Sequence, residues 1–423
     1  MASELVEKIH PREQYDNLKK IVLAYSGGLD TSVLVKLLPE ITGASIITVT
    51  VDVGQSEYDD QQLEETKNKA LALGAEKAIV IDAKKEFAEE YVSKAVQANC
   101  LYQGAYPCST ALSRPLIAKH LVEIAVKEGA DAVAHGCTGK GNDQIRLELA
   151  VNALNPDIKV LAPIRDFELT RNEEIIYAAQ EKIPLPNKSK YSVDANLWGR
   201  ACECSEIELM DREVPEDAFC LVSLPHKTPD SSLIIRIFFE KGIPIKASSD
   251  KENATGFLNA VMLLNRLGGM HGIGIIDHME DRIIGLKTRE FYECPAATIL
   301  LSAHKDLEKT VLTREENEFK PLIDKAFAEC VYKGTWFSPL MTELGAFLQK
   351  SQIRVTGWVE TRLYKGSCRI VARNSPFALY DLNLATYNNG SSFNQLHAEG
   401  FVKLFGLEHA IASKVVEKAN KFN

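Results

Sequence analysis

The chain predicts an α/β fold in its first half and an α+β fold behind it, on three observations. From residue 20 to about 185, short β-branched runs alternate with stretches of helical periodicity. That alternation is the pattern of a parallel sheet with helices on both faces. Two glycine clusters, within 26–28 and 136–141, each follow a strand and precede a helix. Beyond about 230 the strand-like runs bear arginines and are separated by helices.

Taken in order, 21–23 is the first strand, and 24–32 turns it into a helix that runs through Val33 to Leu38. Residues 46–51 form a buried strand, 63–73 a helix, 77–81 a third strand and 87–98 another helix. A helix over 115–128 places Leu116, Ala118, Val122, Ala125 and Val126 on its apolar side. Strands at 132–134 and 158–161 flank a helix at 144–154, and a helix over 173–181 ends before Ile183-Pro184. The segment 186–230, rich in Pro, Ser, Asn, Cys and acids, reads as a long ordered crossing. Strands are expected at 232–240, 273–276, 282–286, 353–360 and 367–372, and helices at 254–267, 314–332 and 341–349. Residues 408–420 carry Ala410, Ile411, Val415, Val416 and Ala419 at helical spacing, as in a helix packed at a subunit interface.

Bulk properties exclude several classes. With 45% hydrophobic residues the chain can bury a large core, and its formal charge of −9 disfavours a dedicated nucleic-acid binder. No apolar run approaches the ~18 residues of a membrane span. The first twenty residues mix charges of both signs without an apolar core, so they are not read as a secretory signal. The nine cysteines form no C-x-x-C pair, and Cys202 and Cys204 alone are weak evidence for a metal. Reduced thiols, no metal centre and a cytoplasmic location are expected.

The first glycine loop reads Ala24-Tyr25-Ser26-Gly27-Gly28-Leu29-Asp30-Thr31-Ser32. An anion there meets converging amides and the positive end of a helix dipole. No Gly-Lys-Ser/Thr follows, so this is not a Walker loop. It resembles the SGGxDS/T loop of the PP-loop ATPases, which grips pyrophosphate and implies cleavage of ATP between its α and β phosphates. The second cluster reads Ala134-His135-Gly136-Cys137-Thr138-Gly139-Lys140-Gly141-Asn142-Asp143. Its hydroxyl, amide and carboxylate suit a zwitterionic amino acid. Arg146 shares a helix face with Asn142, and Lys140 can reach a phosphate. The plainer reading makes Asn142 or Asp143 a helix cap, and His135 a packed residue rather than a proton carrier.

These stretches, with VDVGQ at 51–55, RPLIAKHLVEIA at 114–125, NLWGR at 196–200, EDRIIGLKTREFYECPA at 280–296 and SPFALYDLNLATY at 375–387, resemble argininosuccinate synthase. The resemblance implies a PP-loop nucleotide-binding domain of the adenine nucleotide alpha hydrolase-like type over 20–185, after an extension of residues 1–19. A synthetase and multimerisation domain over 186–400 and a helical tail over 401–423 would follow. It implies a homotetramer that joins citrulline to aspartate with ATP and Mg²⁺ through a citrullyl-adenylate, in arginine biosynthesis, without nucleic acid or membrane. By that resemblance, 24–32, Val51 and 134–142 hold ATP, and Thr138, Asn142 and Asp143 hold aspartate. Tyr106, Asn142, Arg146, Ser192, Glu280 and Tyr292 hold citrulline, and Thr110 and Arg114 line the amino-acid pockets. Asp30 and Asp143 are the candidate catalytic carboxylates, Asp30 beside pyrophosphate and Asp143 as an acceptor for the amine proton. Each has a plainer alternative: an N-cap for Asp30, core-edge packing for Tyr106 and Tyr292, a pair with Arg282 for Glu280, and a loop or cap hydroxyl for Ser192.

Four positions depart from the family pattern, all on the citrulline side. Ala111 and Ala201 stand where the family has serines that contact citrulline, Ile275 where it has an arginine, and Asp281 where it has an asparagine. Two lost hydroxyl bonds of about 0.5–1.5 kcal/mol each leave two readings. Ser109, Ser113 or water replaces them, or the pocket takes another ureido, amide or carboxylate acceptor. A silent paralogue is a third reading, opposed by the intact loop.

Overall fold

The computed structural model describes residues 9, 12–55, 60–184, 190–388 and 390–422. Much of the expected N-terminal extension, and the expected boundary at 185/186, lie outside them. The chain divides into two compact units, Met1–Phe377 and Ala378–Asn423.

In the first unit, β1 (Lys20–Ala24), β2 (Ser45–Asp52), β3 (Lys77–Asp82), β4 (Ala132–Ala134) and β5 (Lys159–Leu161) form one sheet in the order β3-β2-β1-β4-β5. Every neighbouring pair is parallel, with Leu23 opposite Thr48 on one side and Ala134 on the other. The alternation of β1 explains its burial on both faces. Ile21 and Leu23 pack with Val33, Leu34, Leu37 and Leu38 of the helix Leu29–Thr42, while Val22 enters a larger core with Leu112 and Leu116. The chain leaves β1 toward β2 on one side, and β4 lies on the other. The crevice beyond the carboxyl ends of β1 and β4 is therefore a topological switch point. Both glycine loops open there.

Behind this sheet, β6 (Ser192–Asn196) and β7 (Gly199–Glu203) form a hairpin inside the segment read as a crossing. Next come β8 (Leu233–Glu240), β9 (Ile243–Ser248) and β10 (Asn253–Thr255), then β11 (Ile275–Asp281) and β12 (Lys287–Glu293), then β13 (Gly357–Tyr364) and β14 (Ser367–Asn374). They build two antiparallel sheets, ordered β10-β9-β8-β13-β14 and β11-β12-β7-β6.

Two expectations change, and one helix had none. The apolar run 282–286, expected as a strand, is the turn between β11 and β12. Arg282 N–H donates to the Leu286 carbonyl at 2.8 Å and closes the turn, in which Gly285 takes φ +89°. The helix expected from Pro115 begins six residues earlier, as Ser109–Glu128. Proline favours a first helical position, but here it sits inside, and side chains serve the early turn. Thr110 N–H donates to the Tyr106 hydroxyl at 3.0 Å, and Ser113 Oγ donates to the Thr110 carbonyl at 2.9 Å. The helix Pro295–Val311 was not foreseen at all.

The second unit contains the helices Leu382–Ala385, Leu396–Phe405 and Leu407–Asn420. The last matches the expected 408–420. Its Ile411, Val415 and Val416, and Phe401, Val402, Leu404 and Phe405 before them, are exposed in the single chain.

Candidate active site

A cleft of about 550 Å³ lies at the switch point, lined by both glycine loops, by Val51 of β2, by Arg114 and Asp143, and by Ser192, Asp194 and Glu203 of the β6–β7 hairpin. In the first loop Gly27 takes φ +76°, which directs the chain into the helix that starts after Gly28. Lys69 Nζ donates to the Gly27 carbonyl at 2.8 Å, pinning the turn from the helix Asp60–Ala72. Ser26 Oγ lies 3.3 Å from Thr31 Oγ1, and the Tyr25 hydroxyl 3.3 Å from Ser32 Oγ. Asp30 does not cap its helix, since the Gly28 cap carries no side-chain bond. Its Oδ1 accepts from Arg171 Nη1 at 2.9 Å instead.

The second loop abuts the first. A Cβ on Gly136 would stand 3.3 Å from Thr31 Cγ2 and 3.4 Å from Asp30 Cβ, so a larger residue would press the two loops apart by a few tenths of an ångström. His135 is buried, with Nδ1 accepting from Cys137 N–H at 3.2 Å and Nε2 3.4 Å from Glu148 Oε1. Burial alone would lower its pKa, but Cys137 and the Glu148 carboxylate outweigh it and raise it to about 9. Gln144 Nε2 donates to the carbonyls of Gly139 and Gly141 at 2.7 and 3.2 Å and fixes the loop's far arm. Thr138 lines the cleft, whereas the Lys140 side chain is not on its wall.

Where the helix Asp143–Leu154 begins, the capping alternative does not hold: Asn142 makes no cap bond with its side chain. Asn142 Nδ2 donates to the Tyr332 hydroxyl at 2.9 Å, and its Oδ1 accepts from Ile283 N–H at 3.0 Å. Asp143 is clamped by two arginines, Arg114 Nη2 at 2.7 Å and Arg146 Nη1 at 2.9 Å. Burial works against its charge, but the two guanidinium groups hold its carboxyl well below the usual range. Arg114 Nη2 also bonds Asp194.

The remaining residues expected to hold citrulline form a connected, closed cluster beside the cleft. Tyr106 stacks on Tyr292 with ring centroids 4.1 Å apart, and its hydroxyl is 2.7 Å from Thr110 Oγ1. The Tyr292 hydroxyl donates to Glu280 at 2.6 Å, and the Tyr332 hydroxyl donates to the other oxygen of the same carboxylate. Burial raises the Glu280 pKa against the lowering effect of those bonds. Glu280 therefore does not pair with Arg282, which binds Glu203 and Glu290 at 2.7 Å each. Arg146 joins the cluster to Asp143. Its Cζ lies 4.9 Å over the Tyr332 ring, its Nε donates to the Tyr332 carbonyl at 2.9 Å, and its buried Nη2 has no partner among the described residues. Tyr106, Thr110, Asn142, Arg146, Glu280 and Tyr292 are thus buried together, while Ser192, Arg114 and Asp143 face the open cleft.

Tyr332, Arg171 and Asp194 were not singled out from the sequence. Asp194 was findable: it lies two residues after Ser192 on a strand, hence on the same face. Tyr332 ends a helix far along the chain and carried no local signal. Of the four departures, Ala201 is opposite Tyr292 and Asp194 in its sheet, and Ala111 is fully buried. Ile275 instead lines a separate cavity of about 1060 Å³ that shares no lining residue with the cleft. Asp281 sits at the rim of the cluster, its carbonyl accepting from the Tyr102 hydroxyl at 2.8 Å and the Tyr332 hydroxyl at 3.1 Å.

Comparison with known proteins decides the family. Residues 20–184 match the model of the arginosuccinate synthase N-terminal HUP domain, and residues 191–412 that of the arginosuccinate synthase C-terminal domain. The chain belongs to the argininosuccinate synthase family. It is similar to the argininosuccinate synthase of Bacillus pumilus, at 49% identity over 402 residues that cover 95% of this chain and 98% of that one. The argininosuccinate synthases of Anoxybacillus flavithermus and Bacillus subtilis are 50% and 47% identical, over 94% and 95% of this chain and 97% and 98% of theirs. A solved U34-tRNA thiolase from Methanococcus maripaludis matches 43% of this chain and 64% of its own at 17% identity, with a TM-score of 0.29, too low to bear on the argument. As a member of the argininosuccinate synthase family the chain is an enzyme of the ligase class, built on a PP-loop α/β domain. Among the described residues no helix is long and apolar enough to cross a membrane.

Proposed function

We propose that the chain condenses citrulline with aspartate, using ATP and releasing AMP and pyrophosphate. The observation that carries this reading is the meeting of two glycine loops at one switch point, with a doubly clamped carboxylate at the start of the second helix. In this reading the first loop takes the β and γ phosphates, and Val51 and the second loop flank the rest of the nucleotide. The ureido oxygen of citrulline attacks the α-phosphorus, and pyrophosphate leaves with the bonding pair. Thr138, Asn142 and Asp143 hold aspartate, the Asp143 carboxylate meeting its ammonium. The unpartnered Arg146 Nη2 and the Glu280 carboxylate then answer the carboxylate and ammonium of citrulline once the tyrosine cluster opens.

Magnesium would be held at the first loop mainly by the phosphates, and Asp30, paired with Arg171, would be the carboxylate nearest to it. Among the described residues no group of three His, Cys, Asp or Glu gathers into a cage, which suits an ion held mainly by phosphate and water. When bound it supplies charge neutralisation at the leaving pyrophosphate.

One set of observations favours a second reading, the same chemistry with a different acceptor. In this reading the neighbouring serines do not replace both hydroxyls absent at Ala111 and Ala201. Ser113 Oγ is committed to the Thr110 carbonyl, which leaves only Ser109 Oγ, buried beside Cys294 and without a hydrogen-bond partner among the described residues. An acceptor panel of citrulline, other ureido compounds, amides and carboxylates, scored by aspartate-dependent pyrophosphate release, separates the two. Release with citrulline alone supports the first reading; release only with another acceptor replaces it.

A further inference from the structure

Condensation needs a base, because aspartate reaches the cleft as an ammonium and an ammonium has no lone pair to attack with. Asp143 is the nearest carboxylate in the second loop, but both of its oxygens are taken. Oδ2 binds Arg114 and Oδ1 binds Arg146, at 2.7 and 2.9 Å. A carboxylate held by two cations is a good anchor for an ammonium and a poor acceptor for its proton. Across the same Arg114 Nη2 stands a second carboxylate, Asp194, on β6. It shares that one cation with Asp143, has no other cation bonded to it among the described residues, and faces the cleft with about a third of its side chain exposed, at 36%. Asp143 thus has Arg146 and a share of Arg114, while Asp194 has only its share of Arg114.

We infer that Asp194 is the catalytic base that takes the proton from the aspartate ammonium, with Asp143 as its fixed partner anchor. The inference rests on the function proposed above and assigns it a residue. In the balanced step, the Asp194 carboxylate removes one proton from the ammonium. The freed nitrogen lone pair forms the bond to the ureido carbon of the adenylated acceptor. The carbon–oxygen bond to AMP breaks, its electron pair leaving on the AMP phosphate. The nitrogen's second surplus proton passes to that departing phosphate, and the product carries a guanidinium. The direction of the titrations agrees. Burial and the nearby Asp143 charge raise the Asp194 pKa against the opposing pull of Arg114, whereas that of Asp143 is lowered. The charged groups facing Asp194 are Arg114 from the helix Ser109–Glu128 and Asp143 and Arg146 from the helix Asp143–Leu154. Glu203, paired with Ser192 on β7, and Cys137 in the second loop line the same cleft.

The test is the variant Asp194→Asn, with two readouts on the full chain. Citrulline-dependent exchange of labelled pyrophosphate into ATP reports activation, and argininosuccinate formation reports condensation. Expected are unchanged exchange and a fall in kcat for condensation of about a hundredfold or more, with the KM for aspartate changed little. Hydroxylamine, neutral at pH 7, needs no base and should discharge the adenylate equally in variant and wild type. If Asp194→Asn does not fold, the wild-type protein still decides. Its condensation rate should fall as pH drops through the base's pKa, while discharge by hydroxylamine does not share that limb. Condensation at the wild-type rate in Asp194→Asn, equal loss of exchange and condensation, or one pH limb common to both nucleophiles overturns the inference alone. No citrulline-dependent exchange in the wild-type protein overturns the proposed function and the inference with it.

Discussion

Gly27 and His135 show what single residues contribute to the cleft. At Gly27 a side chain is strained twice, by a φ of +76° and by Thr66 Cγ2, which would lie 3.2 Å from the new Cβ. The left-handed conformation costs a non-glycine residue about 1–2 kcal/mol. Gly27→Ala should therefore raise the KM for ATP by about tenfold, measured by steady-state kinetics at saturating amino acids. His135 gives a pH dependence. Its pKa is about 6.5 in an unfolded chain and about 9 in the fold, where burial opposes the charge but Cys137 and Glu148 favour it. The folded state thus binds the proton more tightly. The resulting stability is complete below about pH 6.5 and is lost as pH rises through about 9. Thermal unfolding of the wild type between pH 6.5 and 9 should show that decline, and His135→Gln should show less of it. The glycine loops were legible in the sequence because their chemistry is local. Glu280 was legible as a position, but its partners were not: the hydroxyls that hold it come from Tyr292 and from Tyr332, on another element.

Elements of the second domain depend on one buried clamp. Arg200 of β7 donates to Glu293 of β12 at 2.6 Å. Glu293, fully buried, also accepts from the N–H groups of Cys220, Leu221 and Val222 at 2.8–3.1 Å. This ties the β6–β7 hairpin, which carries Ser192 and Asp194, to β12 and to the loop at 220–222. Breaking a buried pair from one side costs about 3–5 kcal/mol. Arg200→Ala should lose roughly that much in urea unfolding. The inner strands β1, β2 and β4 of the parallel sheet were legible because they are buried on both faces and read as continuous apolar runs. β11 and β12 were not, because their sheet is partly exposed and their residues are largely polar. The apolar Ile283-Ile284 between them drew the strand assignment onto what is a turn. Pro115 misled in the same way, as a proline ordinarily marks where a helix starts.

At the scale of the whole molecule, the second unit is the part with the most exposed apolar helices. Its helices expose Phe401, Leu404, Phe405, Ile411 and Val415, and contiguous exposed apolar side chains mark contact surfaces. We propose that these helices pack in a homotetramer in the reducing cytoplasm, where the nine free cysteines stay reduced. Light scattering after size exclusion should give four chains for the intact protein and fewer after removal of 378–423; a monomeric intact protein contradicts it. The central claim is the reaction itself. The most direct measurement is the identity of the products, by mass spectrometry, after incubating the protein with ATP, Mg²⁺, citrulline and aspartate. The account predicts AMP, pyrophosphate and argininosuccinate in equal amounts, none forming when any one substrate is withheld. Adenylate chemistry with aspartate that proceeds only with an acceptor other than citrulline, or no turnover of ATP with any acceptor, would contradict it.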